Sequence, residues 1–182
     1  AVTALLDAGR PDEALELLDR AGAEVPEMTA REAFVFRFHL GRSRAVVLAF
    51  GRRTAEAEAE LEKLPPFPDD FEPKEREGLE RSLAGPRAAI ARAKGDTGAA
   101  VALLRELLAD EKDRGAGEFG YYPATFRLRA RLADALVTLG RPDEAREELR
   151  PVLSVNPRFA PALAVLTRID GRERSPEGAA GR

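Results

Sequence analysis

Apolar residues recur along most of this chain at intervals of three and four, the spacing that lines one face of an α-helix, and short clusters of Gly, Pro and charge interrupt them. The pattern predicts helices over 1–8, 11–21, 29–50, 54–64, 73–94, 97–113, 123–139, 142–154 and 158–169. Thr29, with Glu32 three residues on, forms a capping box at the head of the third. Gly85-Pro86 predicts a kink or break in the helix over 73–94. Pro65, Pro66 and Pro68 make 65–71 a loop, and a glycine-rich loop runs to Tyr122. Phe34, Phe36 and Phe38 alternate as a strand does, but Phe34, Phe38, Gly41, Ala45 and Leu48 make a helical stripe, and the run is too long for one strand. Helix is the reading for this stretch. The end of the chain is polar and rich in Gly, which gives one helical domain over 1–170 and a disordered tail over 171–182.

The interruptions repeat. Gly9-Arg10-Pro11-Asp12-Glu13-Ala14 recurs letter for letter as Gly140-Arg141-Pro142-Asp143-Glu144-Ala145. Leu18 and Leu149 follow nine residues past each glycine, and Pro26 and Pro157 seventeen past. A looser copy starts at Gly95, with Leu104 at the same nine-residue offset, and a degenerate one starts at Gly51, where Ala57 arrives one residue late. The glycines are therefore 42, 44 and 45 residues apart. A glycine after an apolar helix can take the left-handed conformation that ends it. Proline two residues later suits the first turn of the next helix, and Asp and Glu there oppose the positive end of its dipole. Each unit is a helical hairpin with a turn so short that its helices must be antiparallel neighbours.

The Gly-x-Pro-Asp-Glu-Ala turn, with its leucine and proline downstream, resembles the second helix of a tetratricopeptide repeat. The best match is Leu132-Ala133, Leu136, Gly140, Ala145, Leu149, Val152 and Pro157, where Leu132-Ala133 takes the family's Leu-Gly pair and Leu136 its aromatic. The likeness is specific over 123–157, good over 9–26 and weak in the two middle units. The resemblance implies an all-α, right-handed superhelical solenoid of antiparallel helix pairs, about 3.5–4 repeats plus a C-terminal capping helix. It also implies a scaffold with no chemistry of its own, whose first helices line a concave groove for a peptide or a partner's helix. The family's repeat is about 34 residues, so the longer spacing here predicts longer first helices and an irregular pitch. Arg129 stands where the family has its tryptophan, and Arg87 where it has a leucine.

Charge changes this picture more than composition does. The 182 residues carry 29 basic and 32 acidic side chains, but these are sorted by helix. The first helices are positive: 29–50 has four Arg and one Glu, 73–94 has six basic and three acidic residues, and 123–139 has three Arg and one Asp. The second helices are negative: 11–21 and 54–64 each have one basic and four acidic residues, and 97–113 and 142–154 each have two and four. With the first helices facing the groove, as the resemblance implies, the groove is basic. It then attracts a protein or peptide partner that is acidic or ends in a carboxylate. Arg92 and Arg127 lie three and thirteen residues before their glycines, and Asp134 six before, offsets that the resemblance assigns to the groove. Arg131 is one turn from Arg127, and Arg42 and Arg44 flank the second groove stripe. The plainer alternative is that acids start each second helix for its dipole and that Arg is polar filler.

Other chemistry is excluded or weak. With no cysteine and one histidine (His39), the chain offers no thiolate nucleophile, disulfide framework or Cys/His metal site. Gly115-x-Gly117-x-x-Gly120 spells a dinucleotide fingerprint but follows a helix rather than a strand, outside the βαβ setting that its mechanism requires. Tyr121-Tyr122-Pro123 seals the start of the next helix or anchors a partner. No nucleophile–base–orienter set is visible, so no enzyme, catalytic residue or cofactor is expected. The net charge of -3 disfavours nucleic acid, and the longest apolar run, 45–50, is too short to insert into a membrane. Four lysines among 29 basic residues, with much Ala, Gly and Pro, is the usage of a GC-rich bacterial coding sequence. The chain opens on Ala1 inside a helical pattern, as a piece of a longer protein does. Two functions stand: a protein-binding scaffold, or a structural module that self-associates, with homodimers formed through the exposed ends of the solenoid.

Overall fold

The computed structural model describes residues 1–24, 27–113 and 123–173. Among the described residues there are ten helices and no strand: α1 (Val2–Asp7), α2 (Pro11–Ala23), α3 (Ala30–Phe50), α4 (Thr54–Glu62), α5 (Pro73–Ser82), α6 (Ala84–Ala93), α7 (Thr97–Asp113), α8 (Pro123–Thr138), α9 (Pro142–Val155) and α10 (Ala160–Glu173). Pro26, the glycine-rich loop with Tyr121 and Tyr122, and 174–182 lie outside them. The helices fall into two compact units, Ala1–Asp96 and Thr97–Arg182.

The turns explain the architecture. Gly9, Gly95 and Gly140 have φ of +70, +89 and +74°, the left-handed region that glycine enters without steric cost. In each case the next N–H closes back on a carbonyl of the preceding helix at 2.9 Å: Arg10 on Leu5, Asp96 on Ala91, Arg141 on Leu136. The glycine's own N–H closes on Leu6, Arg92 or Val137 at 3.0–3.2 Å. This paired closure satisfies the last carbonyls of a helix while reversing the chain.

The second turn has the same bonds in a different register. The sequence pattern anchors it on Gly51, but Gly51 has φ -75° and the left-handed residue is Arg52, at φ +59°. Arg53 N–H donates to Leu48 O at 2.9 Å, and Arg52 N–H to Ala49 O at 3.0 Å. Counted from residues 9, 52, 95 and 140, the alanine five positions on is Ala14, Ala57, Ala100 or Ala145, and all four are 0 % exposed. Ala57 is therefore not late; the turn is. After three of the turns an Arg–Glu fork spans the helix start, with Arg10 on Glu13, Arg53 on Glu56 at 2.6 Å and Arg141 on Glu144 at 2.5 Å.

In the first unit α3 is central and packs against α2, α4 and α6. Val47 joins Leu6, Ala14 and Leu18 on one side, and Leu48 and Ala49 join Ala57 and Ile90 on another. The capping box opens α3 as expected: Thr29 N–H donates to a Glu32 carboxylate oxygen at 2.9 Å, and Glu32 N–H donates to the Thr29 hydroxyl at 3.3 Å. With 21 residues α3 is about 31 Å long, and with 9 residues α4 is about 14 Å, so α4 cannot cover it. Residues 65–72 do. Phe67 and Phe71 pack on Phe34 and Phe38, with Phe34–Phe71 centroids 4.9 Å apart and Phe34–Phe67 centroids 5.5 Å apart. Burying a side chain as Phe71 is buried stabilises by about 1.5–3 kcal/mol. Arg76 holds the loop backbone by donating to Pro68 O at 2.7 Å and Phe71 O at 3.1 Å.

The expected break in the helix over 73–94 falls at Leu83, between α5 and α6, and not at Gly85-Pro86. Pro86 is the third residue of α6, where its missing N–H removes no hydrogen bond. In the second unit α8 packs against α7, α9 and α10, and α10 also against α9. Leu132, Leu136, Leu149, Val152 and Ile169 form its best-buried positions. The last helix starts at Ala160 and runs to Glu173, four residues past its expected end.

Left-handed backbone costs an L-residue about 1–2 kcal/mol. Arg52→Gly is expected to raise stability by about 1 kcal/mol, seen as a higher urea midpoint, and Gly140→Ala to lower it. The forks and the capping box also hold carboxyls below the ordinary glutamate value of 4.5: Glu56 by Arg53, Glu144 by Arg141 and then Arg105, Glu32 by the N–H and hydroxyl of Thr29. Folded values below unfolded ones give stability that is complete above the ordinary value and lost as pH falls through the depressed ones. The urea midpoint is therefore expected to drop below about pH 4.5. A flat midpoint from pH 6 to 3 is the contrary result.

Candidate functional site

The two-sign pattern seen in the sequence is spent largely inside each unit. Arg44 on α3 pairs with Asp19 on α2 and, at 3.0 Å, with Glu60 on α4. Arg31 on α3 pairs with Glu75 on α5 at 2.5 Å and lies 4.4 Å from the Phe71 ring centroid. Lys94 pairs with Glu58 at 2.5 Å. In the second unit Arg129 on α8 pairs with Glu148 on α9 at 2.6 Å, so the position where the family has its tryptophan holds an ion pair instead. Arg105 on α7 reaches Glu144 on α9 at 2.9 Å. Basic first helices and acidic second helices are thus, in good part, partners of one another.

Three of the six candidate residues share one face of α8. Arg127, Arg131 and Asp134 are spaced four and three apart, so one stripe of the helix carries them all. All three are half-buried. The Arg127 guanidinium lies 5.8 Å from the centroid of the Phe159 ring, which itself meets Phe126 edge-on at 5.9 Å. Asp134 pairs with Arg168 of α10. Phe159 and Arg168 therefore belong to this face, though the sequence reading omitted them. Their signal is that α10 follows α9 as a further first helix does, placing its residues beside those of α8. Three guanidiniums and one carboxylate give the face a net positive charge.

The other three candidates are elsewhere. Arg92 lies half-buried in the last turn of α6, where a cation meets the negative end of the helix dipole. Arg42 and Arg44 depend on the register of the second turn. Counted back from Arg52 they are ten and eight residues before it, and those offsets in the last repeat hold Ala130 and Leu132, which are 4 % and 0 % exposed. Arg44 accordingly lies between α2 and α4, held by their carboxylates. Arg42 is half-buried and has no hydrogen bond or ion pair with a described residue. Burial pushes the Arg42 guanidinium pKa down; burial, and then the Arg42 charge, push the His39 imidazole below its ordinary value.

Among the described residues no group of three or more His, Asp or Glu side chains could hold a metal ion. Among them, too, no helix is long and apolar enough to cross a membrane. The arrangement offers guanidiniums, an imidazole and exposed apolar side chains on helix faces, which is material for recognising a partner segment.

The tetratricopeptide repeat family model matches residues 91–169. No curated protein and no solved structure matches the chain. Repeats of this family generally mediate protein–protein interaction or scaffolding, and the family is typically non-enzymatic. With helix pairs α1–α2, α3–α4 and α8–α9 folded back through left-handed turns, and that family match across its second half, the chain is an all-α, tetratricopeptide-like helical repeat protein.

Proposed function

We propose that the chain is a binding scaffold whose Arg-bearing first-helix face holds a partner segment that is acidic or ends in a carboxylate. One observation carries the reading: Arg127, Arg131 and Asp134 lie on a single stripe of α8, and α10 adds Arg168 to it. Guanidiniums grouped on one face favour a carboxylate-bearing segment, because each can grip a carboxylate with two parallel N–H bonds. Phe159 beneath Arg127 supplies an apolar surface that keeps the guanidinium flat and lowers the entropy lost on binding. The positive field of the face also speeds encounter with an acidic partner and makes it sensitive to salt.

The test is fluorescence anisotropy with a labelled Asp/Glu-rich peptide ending in a free carboxylate, at low salt and at ~150 mM, where screening acts beyond about 8 Å. The double variant Arg127→Glu/Arg131→Glu is expected to weaken binding by at least about tenfold while its helical circular dichroism is unchanged. Affinity is also expected to fall as salt rises. Equal binding by wild type and variant overturns the reading. So does a concentration-dependent dimer that polar substitutions at Leu5 or Leu6 abolish, which instead favours self-association through the repeat ends.

A further inference from the structure

The first unit carries a different surface at the same repeat positions. Arg127, Arg131, Asp134 and Thr138 lie thirteen, nine, six and two residues before the left-handed Gly140. Counted back from Arg52, those offsets on α3 hold His39, Ser43, Val46 and Phe50. The spacing again places all four on one helix face. This stripe has no formal charge at neutral pH. His39 is exposed, Ser43 and Val46 are half-buried, and Phe50 is 42 % exposed, one of the few large apolar side chains so open to solvent among the described residues.

Arg42 stands at the rim of this stripe, one turn from both His39 and Val46. A guanidinium taken partly out of water needs an acceptor, and without one its burial is a cost. Five acids near α3 and α6 are engaged elsewhere: Asp19 and Glu60 hold Arg44, Asp70 and Glu75 hold Arg31, and Glu58 holds Lys94. A carboxylate brought from outside would meet a cation already stripped of part of its water, and the apolar stripe beside it selects what else that carboxylate must carry.

We propose that this face of α3 docks a partner segment bearing one apolar or aromatic side chain next to one carboxylate, the apolar group against Val46 and Phe50 and the carboxylate on Arg42. The inference rests on the reading that first-helix faces take partner segments. It differs in the occupant: an apolar anchor with a single acid, where the α8 face takes an acidic run. Burial of the anchor supplies a contribution that salt does not screen, and the Arg42 contact fixes its orientation.

The probe is a short, labelled Gly/Ser peptide carrying one Phe and one Asp, followed by anisotropy and by NMR titration of His39. Wild type is expected to bind it, and Arg42→Gln, Phe50→Ser, and Asp-to-Asn or Phe-to-Ser changes in the probe are each expected to weaken binding about tenfold, close to one good charged or apolar contact. Binding is expected to move the His39 titration, because the docked segment adds to the burial that lowers its pKa and the carboxylate offsets the Arg42 charge. A purely structural role for Arg42 would leave that titration unmoved. Probe binding that survives both Arg42→Gln and Phe50→Ser overturns the proposal. If the acidic peptide binds through Arg127 and Arg131 but the Phe–Asp probe does not bind, the inference fails and the scaffold reading stands. If neither peptide binds, both fail.

Discussion

The left-handed residue after each first helix is the constraint on which the rest depends. Its two N–H···O bonds satisfy final carbonyls of one helix and start the next within two residues, so the α1–α2, α3–α4 and α8–α9 hairpins are tight and antiparallel. The alanines five residues downstream of residues 9, 52 and 140 follow from it. Two helices brought together so abruptly leave no room for a side chain larger than a methyl group, and Ala14, Ala57 and Ala145 have no exposed surface. The same closure forms at Arg52, where backbone sterics oppose it. The flanking helices therefore impose the turn on that residue.

The charges have a related logic. An exposed Arg–carboxylate pair contributes little to stability on its own, and several here are exposed. Yet Arg44 bridges two second helices and Arg129 ties α8 to α9 at positions where the last repeat or the family places a large apolar group. Such pairs demand a particular helix register, because a partner shifted by one residue points away from its acceptor. Arginines such as Arg44 and Arg129 thus fasten one helix to another, and helix-by-helix net charge does not show which arginines do so.

Most of the fold was legible because its signals are local. The capping box at Thr29, proline in the first turn of α2 and α9, and the glycine turns all act within a few residues. What failed was non-local. Nothing within 51–54 says that Arg52 and not Gly51 turns the chain; that is decided by which residues α2 and α4 bury against α3. The break at Leu83 likewise precedes its apparent cause, because Pro86 sits comfortably inside a first turn. Counted from Arg52, Arg44 lies in a seam between α2 and α4 and the offsets of Arg127 and Thr138 fall on His39 and Phe50, whereas Arg127, Arg131 and Asp134, counted from a glycine turn, share one stripe of α8.

The mismatch between a long α3 and a short α4 bears on how such a chain can evolve. Solenoids are usually free to grow by copying a unit, since each copy presents its neighbours with the same faces. Here the α3–α4 pair in the first unit is completed by 65–72, whose Phe67 and Phe71 pack on Phe34 and Phe38. A duplicated or transplanted copy of α3–α4 without that segment would leave an aromatic patch in water, and the segment without α3 would have nothing to cover. This part of the chain is inherited as one indivisible block, and insertion or loss of whole repeats is open only outside it.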